Sequence, residues 1–220
     1  MKRVFNLIVL DESGSMQTIK SQTISGINET IQSIRSNQRK YAAEQQHFVS
    51  LVSFNSDAIK TIYERVGIDE VREYTNADYR PDACTPLRDA VCSAINKLAR
   101  SVAPDDSVMV TIITDGLENA SSEYSPQAMR SLIDEKKNAG WTFVYIGANQ
   151  DSIAVANDMN INYSFNFDAS IEGAERMFQR VGRVQKAHAK MCCMPEPMGA
   201  EAKMVMEECI GAIRNDEDDE

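Results

Sequence analysis

Asp11, Ser13 and Ser15 occupy alternate positions in Asp11-Glu12-Ser13-Gly14-Ser15-Met16, directly after the apolar run Val4-Phe5-Asn6-Leu7-Ile8-Val9-Leu10. One carboxylate and two hydroxyls leaving a single turn can converge on one hard cation. Oxygen-only ligation of this kind suits Mg²⁺, with Mn²⁺ or Ca²⁺ as the other candidates, far better than Zn²⁺ or copper. Two further segments carry donors at comparable places: Thr85 in Thr85-Pro86-Leu87-Arg88-Asp89-Ala90, and Asp115 in Thr114-Asp115-Gly116. Each residue also has a plainer reading. Ser13 or Ser15 can cap the first helix, Thr85 can cap its own, and Asp115-Gly116 is a common turn pair. Asp89, Glu118, Asn149 and Asp151 are candidates for the rim of the same site. Asp89 serves equally well to brace a loop, Asp151 to cap a helix, and Glu118 and Asn119 as solvated loop residues.

The elements that must position these groups alternate along the chain. Apolar runs at residues 4–10, 48–54, 108–114, 142–147 and 163–167 read as strands, and helical-period segments separate most of them. Residues 59–66 form a half-exposed strand that follows its predecessor after only Asn55-Ser56-Asp57, a hairpin spacing that makes this pair antiparallel. Helices are expected over 16–36, over 86–100 with Thr85 as cap and Pro86 in the first turn, over 127–139 with Gly140 as the stop, and over 170–190. The pattern predicts an α/β fold: a doubly wound, mostly parallel central sheet with one antiparallel edge strand and helices on both faces. In open sheets of this class, loops at the carboxyl ends of the strands meet at one edge, where ligands bind.

The order D-x-S-x-S, then T-P-L-x-D-A, then T-D-G, carried by Asp11, Ser13, Ser15, Thr85 and Asp115, resembles the von Willebrand factor A domain family and its metal-ion-dependent adhesion site. The likeness covers roughly residues 3 to 190. It implies that Ser13, Ser15 and Thr85 touch the metal directly, while Asp11 and Asp115 hold it mainly through water. Neutral hydroxyls and water-bridged carboxylates leave much of the cation's charge unneutralised, so an open position can attract an acidic group of a protein partner. The chain departs from the family just before Thr85. Glycines are usual there, and Pro81-Asp82-Ala83-Cys84 implies a stiffer loop.

Composition narrows the partners. The 220 residues carry 43% apolar side chains and a formal charge of −10, with five of the negative charges in Asp216 to Glu220. Nucleic-acid binding needs a basic surface and is not expected. No stretch is long enough to span a bilayer, and the apolar run before Asp11 is too short for a signal-peptide core. The odd count of scattered cysteines forms neither a disulfide framework nor a zinc spacing, so a cytoplasmic location is expected.

Residues 1–190 read as the domain, and 191–220 as an appendage. The appendage comprises a Met/Cys/Pro linker, an amphipathic helix over 202–213 and an acidic tail. The linker's soft side chains Met191, Cys192, Cys193, Met194 and Met198 suit a flexible docking segment better than a Cu(I) site. His47 and His188 stand apart, without the partners of a nucleophilic triad.

The expected function is a non-catalytic, metal-dependent protein-binding module, serving as an accessory to an ATPase or regulatory complex. Its alternative is a hydrolase or phosphotransferase using Asp11. That chemistry calls for a second acid two residues on, where Ser13 stands. A calcium loop of EF-hand type fails at Met16 and Gln22, and a nucleotide-binding turn lacks its glycines.

Overall fold

Strand β1 (Lys2–Asp11) is buried along eight consecutive residues, because it lies inside a sheet covered on both faces. Its side chains alternate between two cores. Ile8 and Leu10 join one hydrophobic cluster, and Phe5, Leu7 and Val9 join the other. The structure, a computed structural model, describes residues 1–115, 118–148, 156–161, 163–167 and 171–194. Asn149, Asp151, Gly116 and the expected helix and tail beyond residue 194 lie outside the described residues.

β1 pairs in parallel with β2 (Gln45–Phe54) on one side and with β4 (Ser107–Thr114) on the other. β5 (Thr142–Ala148) and β6 (Tyr163–Phe167) continue the sheet in parallel. β3 (Ile59–Gly67) pairs antiparallel with β2 at the edge, as the short connection demands. The order is β3-β2-β1-β4-β5-β6. Strand succession therefore reverses between β1 and β4, and the carboxyl ends of that pair form the crevice where such sheets bind ligands. The register shifts near Ser50, whose Oγ accepts the N–H of Arg65, and Arg65 takes a left-handed conformation. A bulge of this kind twists an exposed edge away from further pairing.

One face of the sheet is covered by α1 (Lys20–Lys40) and α4 (Ile171–Met191), through Ile27, Ile31, Ile34, Phe178, Val181 and Val184. The other is covered by α2 (Leu87–Ala99) and α3 (Pro126–Asn138), through Leu87, Val91, Ile95, Met129 and Ile133. Gly26 lets α1 approach α4 closely, since a Cβ there would overlap the Phe178 ring.

Several boundaries differ from the periodicity reading. The first helical segment opens as a 3₁₀ turn over Gly14–Ile19 before α1 begins, and α1 runs on to Lys40. Helix α2 starts at Leu87 with Pro86 in the cap position, so Thr85 does not cap it. Cap groups come instead from 30 or more residues away: Glu118 Oε2 accepts the N–H of Arg88 at 2.9 Å, and Ser121 Oγ accepts that of Asp89 at 3.1 Å. Helix α3 has the expected local cap, with Ser125 accepting from the Ala128 N–H, and it stops before Gly140 at φ 86°.

Candidate metal centre at the carboxyl edge of the sheet

Asp11 closes β1 beside the end of β4, and its carboxylate is fully buried. Thr114 Oγ1 donates to Oδ2 at 2.6 Å, and the Ser13 N–H donates to Oδ1 at 2.7 Å. Asp11 thus fixes the turn that carries the two serines. Ser13 is extended at φ −72° and ψ 164°, and its hydroxyl caps no helix. Its Oγ lies 3.2 Å from Ser15 Oγ, and Ser15 Oγ donates to Asp115 Oδ1 at 2.7 Å. Asp11, Ser13, Ser15 and Asp115 therefore meet in one chain of hydrogen bonds across two neighbouring strand ends.

The Thr85 loop is fastened to the same edge by backbone contacts. The Gly14 N–H donates to Ala83 O at 3.0 Å, and the Asp82 N–H to Glu12 O at 2.9 Å. Thr85 and Asn119 bond reciprocally: the Thr85 N–H reaches Asn119 Oδ1 at 2.8 Å, and the Asn119 N–H reaches Thr85 O at 3.1 Å. Thr85 is buried, yet among the described residues no hydrogen bond engages its hydroxyl. The implied stiffness of the 81–84 loop has a backbone expression, for Ala83 holds φ 66°, a conformation that favours glycine.

Three residues without a local motif complete the frame. Tyr79 is fully buried and donates its hydroxyl to Asp11 O at 2.6 Å. Glu12, also buried, accepts the Arg80 N–H at 2.7 Å, the Ser53 hydroxyl, and a 3.4 Å ion pair from Lys60. In the β2–β3 connection, Ser56 exchanges hydrogen bonds with the backbone of Cys84.

Two of the rim candidates, Asp89 and Glu118, have other work. Asp89 is buried and accepts the N–H groups of Ser122, Glu123 and Tyr124 at 2.8, 3.1 and 2.9 Å. Glu118 accepts from Ala120 and Ser121 besides Arg88, and its carboxylate lies 3.6 Å from the Arg88 guanidinium. Asp89 and Glu118 together shape the loop that delivers Asn119 to Thr85. Neither is a freely solvated loop residue.

Electrostatics favour a cation here. Burial pushes the Asp11 carboxyl up to about 6, against the opposing hydrogen bonds from Thr114 and Ser13, and nearby Asp115 adds to the rise. Burial also raises Asp115, opposed by the Ser15 hydroxyl. Among the described residues neither acid has a Lys or Arg partner. The donor geometry fits as well. Adjacent ligands of an octahedral Mg²⁺ at 2.0–2.1 Å stand about 3 Å apart, close to the 3.2 Å between Ser13 Oγ and Ser15 Oγ. Among the described residues no group of three or more His, Cys, Asp or Glu is placed to hold a metal, so a site here relies on hydroxyls.

No family model and no curated protein matches the chain. Solved structures do. Proximal thread matrix protein 1 from the mussel byssus aligns with a TM-score of 0.54 at 16% identity, over 82% of this chain and 45% of that one. A second structure of it, with a zinc-occupied metal-ion-dependent adhesion site, aligns at 0.55 and 16% over 84% and 48%. The pilus adhesin SpaC from Lactobacillus rhamnosus GG aligns at 0.64 and 13%, over 85% of this chain and 30% of SpaC. The chain thus spans less than half of either protein. The likeness establishes a von Willebrand A-type α/β fold.

Proposed function

We propose that the chain is a protein-interaction module that holds a divalent cation, Mg²⁺ before Mn²⁺ or Ca²⁺, and engages an acidic side chain of a protein partner through it. Ser13, Ser15 and Thr85 would hold the ion directly, with Asp11 and Asp115 acting mainly through water. The ion supplies a positive charge that three neutral hydroxyls leave largely unquenched, which is what an incoming carboxylate needs. The observation that carries this reading is the continuous array from Asp11 through Ser13 and Ser15 to Asp115 at the sheet's reversal point. The zinc-occupied site of the mussel protein and the adhesin role of SpaC lend it support, and Zn²⁺ belongs in any metal series tested.

What weighs against an Asp11 nucleophile is its burial and the engagement of both its carboxylate oxygens by Ser13 and Thr114. The proposal therefore includes a non-enzymatic role, and aryl-phosphate turnover that depends on Asp11 would overturn it. A reducing, cytoplasmic setting is supported by the described cysteines Cys84, Cys92, Cys192 and Cys193, which are all free thiols. An accessory role beside an ATPase or regulatory complex is the proposed context, without direct nucleic-acid or membrane contact. Among the described residues no helix is long and apolar enough to cross a membrane.

The test is recovery of partners on immobilised protein in Mg²⁺ and in chelator, beside an Asp115→Ala control. Retention by the wild type with metal alone supports the proposal. Retention under every condition moves binding to another face.

A further inference from the structure

At the opposite edge of the sheet, residues far apart in sequence form a second polar cluster. Cys192 follows the last turn of α4, and its Sγ lies 4.0 Å from Nδ1 of His188, one turn earlier. The neighbouring Cys193 Sγ instead accepts from Gln45 Nε2 at 2.8 Å, and the same amide nitrogen donates to Ala189 O at 2.5 Å. Gln45 Oε1 in turn contacts His47 Nε2 at 2.9 Å. His47 is 2% exposed, and among the described residues its other ring nitrogen has no partner. Lys2 and Ser107, at the amino ends of β1 and β4, also act on Cys192, and Glu44 acts on Cys193. Cys192 itself is half-buried.

We infer that Cys192 is a thiol-exchange site, paired with His188 and selective over Cys193, whose substrate class is low-molecular-weight disulfides. In the step, the Cys192 proton passes to His188 Nδ1 and the thiolate attacks one sulfur of the disulfide. The new bond joins Cys192 Sγ to that sulfur, the original S–S bond breaks, and the departing thiolate takes the proton back from His188. One thiol and one disulfide yield one mixed disulfide and one free thiol, and no further oxidant is needed.

The two adjacent cysteines are sorted by their surroundings. Burial raises the Cys192 thiol, but His188, with help from Ser107 and Lys2, more than offsets this and brings it to about 7. Burial and Glu44 push Cys193 up to about 11. At pH 7 about half of Cys192 is thiolate, against about one part in ten thousand of Cys193. The lower intrinsic nucleophilicity of the more acidic thiol reduces that advantage, yet about tenfold or more survives.

The full chain treated with oxidised glutathione at pH 7, acid-quenched and mapped by peptide mass spectrometry, should carry the adduct on Cys192 at least about tenfold ahead of Cys193. His188→Gln should slow Cys192 modification about sixfold or more, the net of lost thiolate and gained nucleophilicity when the thiol, still raised by burial, is no longer offset by His188 and returns at least to its ordinary value of 9. Iodoacetamide alkylation of the wild type, followed against pH, gives a second reading that needs no variant, with half-maximal Cys192 labelling near pH 7. Adducts forming first on Cys193, an unchanged rate in His188→Gln, or a midpoint near pH 9 would each overturn the inference.

Discussion

Replacing Glu12 with alanine separates the frame of the proposed metal site from its ligands. Glu12 touches no candidate donor side chain, yet it joins β1 to β2 through Ser53, to β3 through Lys60 and to the Thr85 loop through the Arg80 N–H. In Glu12→Ala the Ser53 hydroxyl, which is 0% exposed, loses the carboxylate it donates to. An unsatisfied buried group of this kind costs about 1–3 kcal/mol. The Arg80 N–H is only part-buried and can turn to water, so its share is about 1 kcal/mol. Lys60 is 50% exposed, and its ion pair adds little after solvent screening. The sum is about 2–4 kcal/mol, or roughly 5–15 °C in Tm for a domain of this size. Glu12→Gln keeps one acceptor oxygen for the Arg80 N–H, and the buried Ser53 hydroxyl can turn to accept from the amide NH2, so it should cost about 1 kcal/mol. Urea denaturation of both variants, with Mg²⁺ affinity measured alongside, reads the effect. Glu12→Ala should weaken metal binding several-fold through the loosened 80–85 loop, with Glu12→Gln near wild type. Equal stability in the two variants, or Mg²⁺ affinity unchanged in Glu12→Ala, would refute the reasoning.

Other outcomes follow from the same geometry. Mg²⁺ at a hundred times its dissociation constant should stabilise the wild type by about 3 kcal/mol. Chelator should remove that gain and Asp115→Ala should never show it, as thermal melts can establish. Burial, with His188 nearby, holds His47 down to about 4, against 6.5 for the exposed side chain. Its folded value is depressed, so unfolding takes up a proton as the medium acidifies. The His47 contribution is present above pH 6.5 and lost as pH falls through 4, about 3 kcal/mol in all. His47→Gln should flatten denaturation midpoints across that window, and parallel wild-type and variant profiles would refute it. Ala83→Gly should relieve the left-handed backbone at φ 66° and raise stability by about 0.5–1 kcal/mol in urea melts.

The legible parts of the fold were those with local causes. The strands around residues 4–10 and 108–114 announced themselves as unbroken apolar runs, because both of their faces are buried. The antiparallel edge followed from a connection too short for a crossover. The spacing of Asp11, Ser13 and Ser15 placed all three in one turn, and sheet order then delivered Asp115 beside Ser15. Thr85 reads as a cap along the sequence, because the groups that cap α2, Glu118 and Ser121, lie about thirty residues away and leave no local mark. Glu12 and Tyr79 were invisible for the same reason, their partners coming from other strands and loops. His47 and His188 look isolated along the chain, and only the packing of α4 against the start of β2 brings them near each other.

The most direct test of the central claim is calorimetric titration of Mg²⁺ and Mn²⁺ into the full chain, repeated with Ser13→Ala/Ser15→Ala and with Asp115→Ala. The account predicts one saturable site in the wild type, lost or weakened at least tenfold in both variants, while the fold stays intact by circular dichroism. Equal binding in all three proteins, or none in the wild type, would contradict it.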